Sequence, residues 1–337
     1  MSDAVTAAEV LASHAPAAGL APAPSPWDGE LAGRLLMAPM AGVSDAAYRL
    51  MARAGGAALA YSEMVSCAGL HYGEKSWELV DPDPAEPEVA VQLFGSRPEL
   101  FRESAERVAA RLGERLALID VNMACPVPKV TKKGEGSALL EDPALAARIV
   151  RACREGAPGV RVTVKIRRGR YAGQEVAPEF ARAMEDAGAA AVAVHGRFAT
   201  QMYHGEADWG AVRRVVDAVG IPVIASGDIL SHDAALRALA ETGATAVMVA
   251  RGTYGNPWVF SGHEPSAAEK VAAFECHVRL LEATGAHLKR ARSLAGWYFK
   301  GMPDAARWRS AAMGCVTAEE FLVVAADVRA HLTKVPG

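Results

Sequence analysis

The chain has 337 residues and a formal net charge of −3, with 51% hydrophobic and 22% charged residues. This length predicts one large domain and a smaller one, because a single core stops growing at roughly 250–300 residues. The balance of charges excludes nucleic-acid binding through overall basicity, so an RNA or DNA partner would require a local basic face.

Residues 1–33 are rich in alanine and proline and predict a mobile leader with some helical tendency. They lack the positively charged start of a secretory signal, and no apolar run in the chain reaches the roughly 18–20 residues of a membrane span. Five scattered cysteines without a Cys-x-x-Cys pair argue against disulfides and against a cysteine-ligated metal. We therefore predict a cytoplasmic protein with neither a membrane partner nor a bound metal.

From Leu35 onward, short apolar runs alternate with helical segments, which is typical of parallel strands buried on both faces. Eight runs are predicted as strands: 35–41, 58–64, 89–95, 116–123, 160–166, 191–195, 222–226 and 246–250. Helices are predicted between them at 98–112, 143–154, 177–187, 209–219 and 233–241. Eight units in about 220 residues favour a (β/α)₈ TIM barrel at residues 34–262. A doubly wound sheet is the alternative, but no G-x-G-x-x-G sequence follows the first strand.

After Pro257 the strand pattern stops, and residues 263–337 predict a small helical domain with helices at 267–288, 290–299, 304–312 and 318–332. Six cations and four aromatic side chains lie between Ala286 and Ser310, and Asp304 is the only acid among them. The cations are Lys289, Arg290, Arg292, Lys300, Arg307 and Arg309. This composition is used by RNA-binding surfaces, although a solvated face over a helical core has it equally often.

Polar or small residues follow all eight predicted strands, at the end of a barrel where catalytic groups collect. Their convergence on one mouth predicts an active site. In strand order they are Pro39-Met40-Ala41; Ser62-Glu63; Gln92; Asp120, Asn122 and Cys125; Lys165 and Arg167; His195; Ser226-Gly227-Asp228; and Ala250-Arg251.

The ends of the seventh and eighth strands predict a phosphate site. Small residues and a glycine there expose backbone N–H groups, and Arg251 adds charge. A phosphate at this position fits FMN, whose ring would then lie over the mouth. We expect Lys165 beside the ring edge that becomes negative on reduction, Gln92 hydrogen-bonded to the ring, and the Pro39-Met40-Ala41 backbone facing it.

Cys125 is the predicted proton donor. It follows the fourth strand, and Pro126 and Pro128 stiffen the loop after it. An ordinary cysteine thiol, with a pKa near 8.5, is protonated at neutral pH and can act as an acid. The other four cysteines are interpreted as small buried hydrophobes; they are Cys67, Cys153, Cys276 and Cys315.

Nine segments together resemble the tRNA-dihydrouridine synthases in their order and spacing. They are 38–45 (APMAGVSD), 62–64 (SEM), 91–95 (VQLFG), 120–126 (DVNMACP), 136–140 (GSALL), 164–167 (VKIR), 194–197 (VHGR), 224–228 (IASGD) and 255–258 (GNPW), with a weaker match at 295–298. The sequence departs from the family pattern at Ala124, Ser226 and Ala250, where the family usually has Gly, Asn and Gly.

The resemblance implies that NADPH reduces FMN, that a hydride passes to C6 of a uracil in tRNA, and that Cys125 protonates C5. It implies that Asn122 and Arg167 read the uracil and that the helical domain, including Lys289 and Arg290, binds tRNA. The residues expected to hold FMN are Pro39, Met40, Ala41, Gln92, Lys165, His195, Ser226, Gly227, Asp228, Ala250 and Arg251.

Three other functions remain open on sequence grounds. A small-molecule FMN oxidoreductase, similar to dihydroorotate dehydrogenase, shares the barrel and the flavin but does not account for the basic helical domain. A flavin-free barrel lyase or isomerase would use the phosphate site for its substrate. A non-catalytic RNA-binding protein would need neither Cys125 nor Lys165.

Overall fold

The computed structural model describes residues 5–73 and 75–334, and eight parallel strands form its centre. They are β1 (Leu35–Met37), β2 (Val65–Ser66), β3 (Val89–Phe94), β4 (Leu116–Met123), β5 (Val162–Gly169), β6 (Ala191–Phe198), β7 (Val223–Ser226) and β8 (Ala246–Val249). The strand order is β1-β8-β7-β6-β5-β4-β3-β2, so the first strand lies beside the last. This arrangement confirms the predicted (β/α)₈ barrel.

The barrel closes between β1 and β3 through an irregular segment rather than through a regular second strand. Residues 58–64 were predicted to be this strand, but they make only two isolated bridges, Met37 with Ala60 and Tyr61 with Ala90. The Oγ of Ser62 accepts the backbone N–H of Gln92 at 3.0 Å, so a side-chain oxygen bonds where a carbonyl of the neighbouring strand would otherwise bond. The backbone N–H of Ser62 also donates to the carbonyl of Ala90 at 2.8 Å, so the segment fills the place of the second barrel strand as far as Ser62.

Thirteen helices surround and follow the strands within the described residues. They are α1 (Ala7–His14), α2 (Ala46–Ala54), α3 (Cys67–Tyr72), α4 (Pro98–Leu112), α5 (Pro128–Thr131), α6 (Pro143–Gly156), α7 (Ala177–Asp186), α8 (Trp209–Val216), α9 (His232–Thr242), α10 (Ala267–Ala283), α11 (Arg290–Tyr298), α12 (Ala305–Gly314) and α13 (Ala318–Leu332). Side-chain caps fix several starts: Asp142 accepts the N–H of Leu145, and Ser231 accepts the N–H of Ala234.

Helices α10 to α13 pack on one another, and α10 also contacts α1 and α2. Helix α10 is shorter than predicted because Thr284 bonds back to the carbonyl of Leu280 and Gly285 takes a φ of +67°. Helix α2 is buried from Ala47 to Ala54. No helix in residues 5–73 or 75–334 combines the length and apolar character that a membrane crossing needs.

The N-terminal segment, predicted to be a mobile leader, is instead packed in the part that the structure describes. Val10 and Leu11 are buried, and α1 lies against α10. The indole N–H of Trp258 donates to the carbonyl of Ala18 at 2.8 Å. The alanine and proline bias misled the prediction because small apolar side chains also allow close helix packing. Residues 1–4 lie outside the described part of the chain.

Candidate active site

A cavity of about 350 Å³ opens at the C-terminal end of the barrel strands. Every residue predicted to hold FMN, to read the uracil or to donate the proton lines it. Lys289 and Arg290 do not, and neither do Ser62, Glu63 and Asp120, which were expected at the same mouth. The strands converge there because parallel strands with helical crossovers all end on the same face. The volume lies within the range of cofactor and small-ligand pockets.

A chain of buried hydrogen bonds runs under the cavity floor towards Cys125. The Asp120 carboxylate accepts the Gln92 amide N–H at 2.6 Å, and its other oxygen accepts the Thr163 hydroxyl at 2.6 Å. The amide oxygen of Gln92 then accepts from the Asn122 amide at 2.8 Å. The amide oxygen of Asn122 accepts the backbone N–H of Cys125 at 2.9 Å.

The direction of this chain is set by Asp120. An ionised carboxylate only accepts hydrogen bonds, so Gln92 must present its NH₂ group to it and its oxygen to Asn122. Asn122 in turn must present its oxygen to the Cys125 loop. Burial raises the pKa of Asp120 to about 6, although the hydrogen bonds from Gln92 and Thr163 oppose this effect. Asn122, expected to read the uracil, thus also positions the loop of the predicted proton donor.

The Cys125 loop is held from its other side by the segment that begins at Gly136. The backbone N–H of Ser137 donates to the carbonyl of Cys125 at 2.9 Å. Gly136 has a φ of +61°, and a Cβ there would lie 2.7 Å from the Cys125 carbonyl oxygen. Glycine is therefore required at position 136 both for its backbone conformation and for the close approach of the two loops.

A Gly136→Ala variant is expected to reduce turnover by about tenfold or more, because the new methyl group must push the Cys125 loop away and small displacements of reacting groups are costly. Gly134→Ala is the matched control. Gly134 also has a positive φ, +75°, but the nearest atom to its Cβ would be 3.9 Å away. Equal turnover in the two variants, measured at matched folded fraction, would contradict the assigned role of this contact.

Four cationic or potentially cationic side chains line the same cavity as Cys125: Lys165, Arg167, His195 and Arg251. Burial lowers the pKa of Lys165 to about 8, and the neighbouring Arg167 guanidinium adds to the effect. Burial and the surrounding cations hold the pKa of His195 well below its ordinary value, so this imidazole is neutral at pH 7. The cavity thus favours a bound anion.

Arg167 is nearly fully buried and is largely engaged by the protein itself. Its Nε donates to the Ala124 carbonyl at 3.0 Å, and its Nη1 donates to the carbonyls of Phe198 and Met202 at 3.1 and 3.0 Å. The side chain therefore joins the Cys125 loop to the loop after β6. It lines the cavity as predicted, but the bonds to the protein occupy its Nε and Nη1, which leaves Nη2 for a ligand.

The ends of β7 and β8 form the part of the cavity suited to a phosphate. Gly227 has a φ of +109°, and a Cβ there would lie 2.6 Å from the His195 ring. Arg251 begins a 3₁₀ turn, Arg251–Thr253, and the first N–H groups of such a turn have no partner within it. Backbone donors, a cation and the absence of a side chain at Gly227 together fit a phosphate.

Asp228 lies in this region with its carboxylate already paired. Arg197 donates two hydrogen bonds to it, at 2.8 and 2.7 Å, and Arg251 donates a third at 2.9 Å. Burial would raise the pKa of Asp228, but the bonds from Arg197 and from the Ala207 N–H outweigh it, so this pKa is lowered. Asp228 therefore orients Arg251 and the loop, and its charge is neutralised beside the anion site.

Two tyrosines in the cavity wall were not predicted from the sequence. Tyr203 is 58% exposed at the mouth, and the Arg251 guanidinium lies 5.0 Å from its ring centre. Tyr254 stacks on Trp297 of α11 with ring centres 4.1 Å apart. Neither tyrosine follows a strand end directly, so the positional signal that identified the other residues does not apply to them.

The two predicted tRNA contacts lie outside the cavity and differ from each other. Lys289 is exposed. Arg290 is half-buried and bonded to Asp45 at 2.7 Å and to Glu63 at 3.0 Å.

Within residues 5–73 and 75–334, no group of three or more His, Cys, Asp or Glu side chains is arranged to hold a metal ion.

Comparison with known proteins identifies the family. The dihydrouridine synthase (Dus) family model matches residues 36–334. "Probable tRNA-dihydrouridine synthase 1" of Synechocystis sp. is 39% identical over 290 residues, which cover 82% of this chain and 81% of the relative. "tRNA-dihydrouridine synthase B" of Pseudomonas aeruginosa is 37% identical over 299 residues (83% and 88%), and that of Xanthomonas axonopodis pv. citri is 36% identical over 316 residues (88% and 93%). The match over nearly the whole barrel and helical domain means that this chain belongs to the dihydrouridine synthase family.

Proposed function

We propose that the protein is an FMN-dependent tRNA-dihydrouridine synthase that uses NADPH to reduce the C5–C6 double bond of specific uridines in tRNA. The observation that carries this proposal is the position of Cys125. It lies at the rim of an anion-favouring barrel cavity and is held there by Asn122 and by Ser137. The relatives of this chain are named tRNA-dihydrouridine synthases. Because tRNA is its substrate, we place the enzyme in the cytoplasm.

The residues of the cavity fit FMN. The backbone around Gly227 and Arg251 would hold the phosphate, and Ser226 and Ala250 are small enough to leave room for it. The Pro39-Met40-Ala41 backbone and Gln92 would face the flavin ring. When bound and reduced by NADPH, FMN supplies a hydride to C6 of the uracil. Lys165, protonated below about pH 8, would balance the negative charge of the reduced ring.

Cys125 supplies the proton in this proposal. The S–H bond of the thiol breaks as the C5–H bond of the uracil forms, so that one hydride and one proton together saturate the C5–C6 bond. The thiolate that remains is reprotonated from solvent. Neutral His195 and the paired Asp228 would not compete for this proton transfer, because the N–H of a neutral imidazole is too weak an acid and the Asp228 carboxylate carries no proton at pH 7.

The target base must leave the stacked tRNA to reach the cavity, because C5 and C6 are covered by neighbouring bases in a folded RNA. Arg167 and Asn122 line the cavity beside Cys125 and would contact the flipped uracil with their remaining donors. Exposed cations of the helical domain, Lys289, Lys300, Arg307 and Arg309, would hold the tRNA backbone.

Lys165 predicts a pH dependence. We expect kcat/KM for tRNA reduction to fall as pH rises through about 8, because Lys165 then loses its charge. A Lys165→Met variant should be slower and should show a shallower alkaline limb, because the need for a protonated general acid remains but the loss of the Lys165 charge no longer contributes. Loss of activity above pH 8 would not result from unfolding caused by Lys165. The pKa of Lys165 is lower in the folded chain than in the unfolded chain, so the contribution of this group to the free energy of unfolding rises with pH above 8. An unchanged limb in the variant would contradict the assignment.

The proposed activity is tested by mapping dihydrouridine in tRNA from cells that lack the gene. We expect dihydrouridine to disappear at defined positions and to return with the wild-type gene but not with Cys125→Ala. Purified protein should also bind FMN and reduce that tRNA with NADPH. Bound FMN without any reduction of tRNA, in the cell or with purified protein, would instead favour the small-molecule flavin oxidoreductase.

A further inference from the structure

Arg290 bridges the helical domain and the barrel. It is the first residue of α11, and it bonds to two carboxylates of the barrel, Asp45 and Glu63, at 2.7 and 3.0 Å. The side chains of these acids are only 13% and 10% exposed. The Arg290 guanidinium thus connects α11 to two largely buried carboxylates of the barrel.

The two carboxylates also hold the loop after β1, which carries the flavin-side residues Pro39, Met40 and Ala41. The second oxygen of Glu63 accepts the backbone N–H of Gly42 at 2.6 Å. The second oxygen of Asp45 accepts the N–H of Tyr48 and so caps α2 at 2.8 Å. Each acid therefore faces Arg290 with one oxygen and the loop or its helix with the other.

Arg290 is the cation that lies between these two acids. The other nearby guanidinium, Arg49, is paired through two bonds with Glu86 and donates its third to the carbonyl of Ser44. Without Arg290, Asp45 and Glu63 would face each other as buried like charges. One of them would take up a proton or turn to solvent, and a turned Glu63 would release Gly42.

We propose that Arg290 is a positioning residue of the cofactor site: from the helical domain it fixes the Pro39-Met40-Ala41 loop through Glu63 and Asp45. The inference rests on the proposed FMN site. It separates Arg290 from Lys289, with which it was grouped as a tRNA contact. Neither Arg290 nor Glu63 lines the cavity, so Arg290 can affect the cofactor only indirectly, and its bonded route is through Glu63 to the loop.

The consequence is a thermodynamic link between the domains. If the position of α11 affects the flavin-side loop, then tRNA bound to the helical domain and FMN bound in the barrel affect each other's affinity by the same factor. Arg290 would be the contact through which this coupling passes, together with the stacked pair Tyr254 and Trp297.

The test is an FMN titration of flavin-free protein, followed by fluorescence, with Arg290→Met and Lys289→Met as neighbouring variants. We expect Arg290→Met to raise the Kd for FMN by tenfold or more and Lys289→Met to leave it unchanged. The dependence of tRNA affinity on salt should show the reverse, with a smaller slope for Lys289→Met only. This split distinguishes a loop-positioning role from a phosphate contact.

A second variant guards against a general loss of structure in Arg290→Met. Adding Glu63→Gln keeps an acceptor for the Gly42 N–H and removes one of the opposed charges. We expect the double variant to recover most of the FMN affinity, and Arg290→Lys to be intermediate. Wild-type FMN affinity in Arg290→Met, or no recovery in the double variant, would overturn the inference. A wild-type protein that binds no FMN would overturn the proposed function instead.

Discussion

Replacing Cys125 by alanine is expected to slow tRNA reduction by a factor of roughly 10²–10⁴ while FMN and tRNA stay bound, the range that a positioned general acid contributes. The reason is local. The cavity wall in the described residues contains one carboxyl group, Asp228, and its pairing with Arg197 and Arg251 keeps it unprotonated. The other protonated acid of the wall, Lys165, is assigned to the charge of the flavin ring, so removal of the Cys125 thiol leaves water as the replacement donor at C5.

The two half-reactions allow this variant to be tested without ambiguity. Reduction of the flavin by NADPH, followed by absorbance, should proceed at the wild-type rate. Reoxidation by tRNA should be slow. Cys153→Ala is a suitable control, since Cys153 is buried away from the cavity and its loss should affect stability but not the rate of reoxidation. A wild-type reoxidation rate in Cys125→Ala would remove Cys125 from the mechanism.

Arg49→Met is expected to destabilise the fold by about 3–5 kcal/mol, the usual cost of breaking a buried ion pair from one side. The side chains of Arg49 and Glu86 are 3% and 2% exposed and share two hydrogen bonds of 2.7 Å. Without the guanidinium, Glu86 is left as a buried charge, and the carbonyl of Ser44 loses its donor. Chemical denaturation would measure the change.

Two controls separate charge burial from loss of packing. Arg49→Met combined with Glu86→Leu should recover much of the stability, because no charge is then left unpaired in the core. Arg213→Met removes a partner of Asp217 in a pair that is more than half exposed, and it should cost about 1 kcal/mol or less. Equal losses in the two single variants would show that burial of the Arg49 pair carries no special cost.

The sequence predicted the barrel and most of the cavity because both follow from chain order. Parallel strands with helical crossovers must end on one face, so residues as distant as Met40, Cys125 and Arg251 could be assigned to the same mouth before their distances were known. The bounds of α4 and α13 were also predicted, since each begins and ends at clear signals such as Pro98.

The remaining features depend on contacts between distant segments, which no local pattern records. Arg290 looks like any other cation of a basic stretch until Asp45 and Glu63 are placed beside it. Tyr254 becomes part of the site wall because Trp297 supports it from α11. The direction of the hydrogen bonds from Asp120 to Cys125 likewise exists only once β3 and β4 are paired.

The packing of α1 against α10 gives this fold an unusual order of assembly during synthesis. Helix α1 leaves the ribosome about 250 residues before its partner, a delay on the order of 10–50 s at ~5–20 residues per second. Eight residues are too few for a helix that is stable alone in water. An element that is made early is therefore among the last to form, and protection of Leu11 from protease reports that α10 has docked.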